Sequence, residues 1–101
     1  MRFVMHVSMP PDKFNEAVRD GSAGAKMAKI LEDLKPEAAY FMAKDGKRGG
    51  FLVVDISDGS EIPRFAEPFF LLFDATVEFL PTMTPDDLAR AGLEQLGQKW
   101  G

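Results

Sequence analysis

Apolar and polar positions alternate from residue 2 to residue 8. Phe3, Met5 and Val7 share one phase and Arg2, Val4, His6 and Ser8 the other, which is the two-residue period of a strand. After the turn Met9-Pro10-Pro11-Asp12 the spacing becomes helical, through Phe14, Val18, Met27, Ile30, Leu31 and Leu34, until Lys35-Pro36 ends it. Gly21-Ser22-Ala23-Gly24 interrupts that run. Each interior glycine costs about 1 kcal/mol relative to alanine in a helix, so the pattern predicts a kink or two consecutive helices.

Apolar runs at 38–43 and 50–56 flank Asp45-Gly46-Lys47-Arg48-Gly49-Gly50 and predict a hairpin, with the glycines supplying positive φ and Lys47 and Arg48 solvated at the tip. Asp58-Gly59-Ser60 reads as a turn, with Ser60 the expected cap of a helix that carries Ile62, Phe65, Phe69, Leu72 and Phe73 on one side. Pro63 fits a first helical turn, where amides have no intrahelical partner. Pro68 predicts a kink or a restart. Residues 75–81 alternate again as a fourth strand. Thr84-Pro85-Asp86-Asp87 then combines a capping hydroxyl, a proline at the first helical position and acids at the positive end of the dipole. The final helix it opens shows Leu88, Gly92, Leu96 and Trp100 at four-residue spacing.

The order βαββαβ plus a C-terminal helix is the ferredoxin-like α+β arrangement, with an expected antiparallel strand order 4-1-3-2 and both main helices on one face. Three strands carry apolar residues in both phases, as in Phe51 and Val53 beside Leu52 and Val54. A sheet apolar on both faces must be covered on both, and two helices cover one. The pattern therefore predicts a homodimer, its sheets packed face to face or closed into a shared barrel around a cavity. The alternative is a C-terminal helix folded back over its own sheet. Trp100 is expected at the contact between subunits, where aromatic residues are enriched.

Composition narrows the function classes. A chain of 101 residues fits one domain, 1–101, and 46% hydrophobic with 28% charged residues suits a globular protein. Twelve Lys and Arg against sixteen Asp and Glu leave a net charge of -4, which argues against nucleic acid or an anionic membrane as partner. Without cysteine and with His6 alone, no thiolate nucleophile, disulfide or multi-histidine metal site is available, and no cofactor is expected. The opening residues lack the uninterrupted apolar stretch of a signal peptide, and no segment approaches the roughly 20 apolar residues of a membrane span. A cytoplasmic location is the expectation.

Chemistry is sparse. The loop Gly46-Lys47-Arg48-Gly49-Gly50 has the wrong spacing for a phosphate-binding loop, and a strand rather than a helix follows it. In the 4-1-3-2 order His6 falls near Glu78 if the two share a face, and Arg2 comes within reach of Asp55. A histidine beside a carboxylate suits a general base with its tautomer fixed, and Tyr40 suits a group that orients or protonates a substrate. His6, Tyr40 and Glu78 are therefore the candidate catalytic residues, and Arg2 and Asp55 the candidate ligand-binding pair or, alternatively, an ion pair on a rim. A lone strand histidine is, however, more often a hydrogen-bonded core or interface residue. The Phe65, Phe69, Phe70 and Phe73 set reads as core rather than an aromatic pocket. Glu16, Asp20, Glu32, Asp33, Asp86 and Asp87 lack metal-ligand spacing and read as solvated faces or dipole partners.

Lys35-Pro36-Glu37 before Ala38-Ala39-Tyr40-Phe41, Asp45-Gly46-Lys47-Arg48-Gly49, Ala66-Glu67-Pro68-Phe69-Phe70 and Met83-Thr84-Pro85-Asp86-Asp87-Leu88-Ala89 together resemble the dimeric α/β-barrel proteins. The chain is most similar to small uncharacterised bacterial proteins of about this length, and more distantly to muconolactone isomerase-like and antibiotic-biosynthesis monooxygenase-like proteins. The resemblance implies a ferredoxin-like homodimer but no particular activity. Three functions follow: a module that binds a small molecule between the sheet and its partner, a cofactor-independent isomerase or monooxygenase, or a structural dimer with a filled interior.

Overall fold

The computed structural model describes residues Met1–Gly101. Strand β1 (Arg2–Met9) leads into helices α1 (Pro11–Asp20) and α2 (Ala23–Leu34), then β2 (Ala38–Lys44) and β3 (Lys47–Asp55). A 3-10 turn (Gly59–Glu61) precedes α3 (Ile62–Phe73), β4 (Thr76–Pro81), α4 (Pro85–Ala89) and α5 (Leu93–Trp100). The sheet order is β2-β3-β1-β4 with every neighbouring pair antiparallel, the expected ferredoxin-like α+β arrangement.

Met5, Val7, Leu52 and Val54 on one face of the sheet meet Ala17, Ile30, Leu34, Phe65, Phe69 and Phe73 from the helices in a single buried core. The core phase of β1 is the one its alternation identified, and in β3, apolar in both phases, it is Leu52 and Val54 that turn to the core. The interruption at Gly21 is a true break: Gly21 adopts a left-handed conformation (φ 82°) and closes α1, after which α2 begins.

Local expectations fail where packing overrides them. Pro68 does not restart α3, which runs as one helix from Ile62 to Phe73. An interior proline costs about 3 kcal/mol, whereas burying Phe65, Phe69 and Phe73 contributes roughly 1.5–3 kcal/mol each. Ser60 is not the cap. The Asp58 carboxylate accepts from the Ser60 amide at 2.8 Å and caps the 3-10 turn instead. The hairpin is tighter than expected, because Asp45 (φ 56°) and Gly46 (φ 74°) alone make the reversal and Lys44 already pairs with Lys47. Gly49 and Gly50 lie within β3 without positive φ, and Arg48 is not a free tip residue: it donates to Asn15 Oδ1 at 2.8 Å and lies over the Phe14 ring.

The C-terminal helix is two helices. Thr84 and Asp87 form a complete capping box at the start of α4, but Gly92 (φ 74°) turns the chain before α5. Neither helix buries a residue, so α5 does not fold back over its own sheet. The radius of gyration of 17.0 Å exceeds the ~13 Å of a compact chain this long, and the molecule measures 59 × 28 × 19 Å because this arm projects from the body. No helix is long and apolar enough to cross a membrane.

Candidate functional site

Strand alternation assigns the residues opposite the core to the other face of the sheet, and the registers place them in rows. Tyr40 pairs with Phe51, Phe51 with His6, and His6 with Glu78, so all four strands contribute to one straight row across that face. The three residues singled out as catalytic candidates therefore share a face and a row. Ala38, Val53, Val4 and Leu80 form the apolar row on one side, and Met42, Gly49, Ser8 and Thr76 the row on the other.

Within the row the contacts are unequal. His6 Nδ1 lies 3.2 Å from Glu78 Oε1, with the His6 side chain 16% exposed. A carboxylate only accepts, so Nδ1–H is the donor in this contact and Nε2 is the ring nitrogen left for a ligand. On its other flank the His6 ring stacks on Phe51, with centroids 4.8 Å apart and planes 18° from parallel. The imidazole is thus held in place from both sides, the arrangement a positioned acid or base needs. Tyr40 does not touch it. Two strand spacings, about 10 Å, separate their backbones, and Phe51 lies between; the Tyr40 side is open, with the residue 68% exposed. Phe51 is one more apolar strand position in the sequence, and only the β1–β3 register brings it into the site.

Arg2 and Asp55 are register partners at the end of the sheet, but they do not form the expected ion pair. The Arg2 guanidinium donates through Nε to both Glu37 oxygens, at 2.8 and 3.1 Å, while Asp55 accepts from the Met1 amino group at 2.9 Å. Each side chain finds a nearer opposite charge off its own register position. The Glu37 hydrogen bond raises the Arg2 pKa further, and the amino-group hydrogen bond holds the Asp55 carboxyl below its ordinary range. Both pairs are exposed, so their contribution to stability is small. Met1, Arg2, Asp55, Thr82, Met83 and Asp87 line a shallow cleft of about 440 Å³ there. No three His, Asp or Glu side chains converge as metal ligands would.

Residues 1–96 match the family described as a domain of unknown function, DUF3303. The chain belongs to that family. No curated protein matches it. Among solved structures, this DUF3303 chain is similar to 5-chloro-2-hydroxyhydroquinone dehydrochlorinase from Burkholderia phenoliruptrix, determined in complex with 2,5-dihydroxybenzoquinone. The TM-score is 0.62 at 20% identity, over 85% of this chain and 97% of that one. At that identity the likeness concerns the fold.

Proposed function

We propose that this DUF3303 protein binds a small planar molecule over Phe51, between the His6 imidazole and the Tyr40 phenol, in a cavity that a second copy of the chain closes. The observation that carries the reading is the His6 ring, fixed by Glu78 and Phe51 on a sheet face that is otherwise largely apolar and that no helix covers. An aromatic floor with one polar group at each end suits a hydroxylated ring, which stacks on Phe51 and exchanges hydrogen bonds with His6 Nε2 and Tyr40. The similar dehydrochlorinase, solved with a dihydroxybenzoquinone, lends support by analogy of fold. Arg2 and Asp55 form the rim of this site rather than its floor. The reading includes one domain over residues 1–101, a homodimer and a cytoplasmic location.

The His6–Glu78 pair favours a second reading, a cofactor-independent isomerase in which His6 Nε2 takes a proton from one carbon of the bound ring compound and returns it to another, while Glu78 stabilises the imidazolium in between. A thermal-shift series with 2,5-dihydroxybenzoquinone and simple dihydroxybenzenes tests the first reading: stabilisation of the wild type that Phe51→Ala abolishes is expected, and no shift with any ring compound rejects it. His6→Ala separates the two. Retained binding with loss of turnover identifies an enzyme, and retained binding where the wild type turns nothing over identifies a binding module.

A further inference from the structure

The arm of residues 82–101 has a shape that its own fold does not account for. Helix α5 is 8 residues long, and isolated helices shorter than about 12–15 residues are marginal in water. Nothing in its own chain supports it, since it buries no residue. Yet Leu93, Leu96 and Trp100 recur at the spacing that aligns them on one face, with Gly97 on the same face, while Glu94, Gln95, Gln98 and Lys99 take the opposite one. Trp100 is 78% exposed. An apolar stripe of this regularity on an unsupported helix implies a surface that the chain alone does not supply.

The open sheet face lacks a cover of the opposite kind. Four strands about 4.8 Å apart and some six residues long at about 3.4 Å each give a face of roughly 400 Å², half of the ~800 Å² per partner that a standard stable interface buries. Met83, Leu88, Leu93, Leu96 and Trp100 on the arm add on the order of 400 Å² of accessible apolar surface. Face and arm together reach the area that neither provides alone. They are also contiguous, because the Thr82 amide and hydroxyl both donate to the Arg2 carbonyl, at 3.2 Å each, so the arm leaves from the end of the same sheet.

We propose that the arm is exchanged between two copies of this chain: each α5 packs its Leu93–Leu96–Trp100 stripe on the other copy, and the site above Phe51 is enclosed only when both arms are in place. The occupant of the open face is thus a second copy held by its arm, which deepens the reading of the ligand site and rests on its assumption that a second copy covers that face.

Trp100 is the sole tryptophan, so its fluorescence reports on the arm directly. Analytical ultracentrifugation of the full chain is expected to give twice the monomer mass, with Trp100 emission shielded from water and shifting to the red on dilution. Leu96→Glu and Trp100→Ala, both at exposed positions, should keep the far-UV spectrum of the body and weaken the dimer at least about 30-fold, the loss of one interface hot spot. A dimer of undiminished affinity in both variants overturns the proposal. So does a monomeric full chain: with water-exposed Trp100 the arm serves a different partner, and with shielded Trp100 it folds onto its own body. Thermal shifts with 2,5-dihydroxybenzoquinone separate this outcome from the ligand reading. An arm-dependent dimer that binds no ring compound refutes only the ligand, and a ring-binding dimer indifferent to Leu96→Glu refutes only the arm exchange.

Discussion

Adding one methyl group at each of three glycines in the hairpin should have three different consequences, because each position meets a different neighbour. At Gly46 the space is empty but φ is +74°, so Gly46→Ala pays the left-handed cost of about 1–2 kcal/mol. At Gly49 the backbone is ordinary, but a Cβ would sit 2.8 Å from the Val7 carbonyl oxygen, a main-chain atom held in the β1–β3 ladder. Relief requires the strands to shift, and overpacking of that kind costs about 1–3 kcal/mol. At Gly50 the Cβ would meet the Phe41 ring at 2.9 Å. That ring is half exposed and can swing away, leaving a 3.1 Å approach to the Tyr40 carbonyl, partly offset by the roughly 0.5–1 kcal/mol that alanine gains over glycine in a strand. The expected order of destabilisation is Gly49→Ala and Gly46→Ala well above Gly50→Ala, which should lie within about 1 kcal/mol of wild type. Urea unfolding followed by far-UV circular dichroism resolves these differences, provided the slope with denaturant is unchanged. A Gly49→Ala protein as stable as wild type, or a Gly50→Ala protein less stable than Gly49→Ala, refutes the assignment of these glycines to close approach.

The core and the acid limb of stability offer two further tests. Phe69 is fully buried between sheet and helices, so Phe69→Ala should lose about 3–5 kcal/mol, measurable by the same urea titration; a loss below 1 kcal/mol would mean that α3 does not carry the core. Asp20, Asp58 and Asp87 are each held below the ordinary carboxylate value of 3.8, Asp20 by the Ser22 amide that donates to it at 2.8 Å, Asp58 by the Ser60 amide and Asp87 by the Thr84 amide. With folded values below the unfolded ones, their contribution is complete above pH 3.8 and is lost as pH falls through the folded values. Thermal melts should therefore show a stability plateau above that pH and a decline beneath it, and a decline that begins nearer neutrality would point to a different set of groups.

The β1 alternation, the interruption at Gly21, the hairpin between β2 and β3 and the helix start at Thr84 were all legible in the chain, because each depends on a period or on neighbouring residues. The restart allowed at Pro68 and the unbroken helix read through Gly92 both fail, in opposite directions, and packing explains both. Three buried phenylalanines keep α3 continuous across a proline, whereas around Gly92 no core residue opposes a left-handed turn. The two-residue turn also sets the β2–β3 register, so the pairing of Tyr40 with Phe51 follows from local sequence once Lys44 is matched with Lys47.

The strand order already placed His6 near Glu78, whereas the stacking of His6 on Phe51 required the fold. His6 meets Phe51 and Glu78 only through the β1–β3 and β1–β4 ladders, which join segments 45 and 72 positions apart. The choice of Glu37 over Asp55 by Arg2 likewise depends on where the β2 strand enters the sheet. The amino-acid sequence by itself determined the order of the elements up to β4 and the core phase of β1, because hydrophobic period and turn chemistry are local. Which side chains face one another across four strands, and that the arm stands away from its own body, was decided only by the tertiary structure, because long-range register and packing distribute their free energy over the whole sheet rather than over any one stretch of the chain.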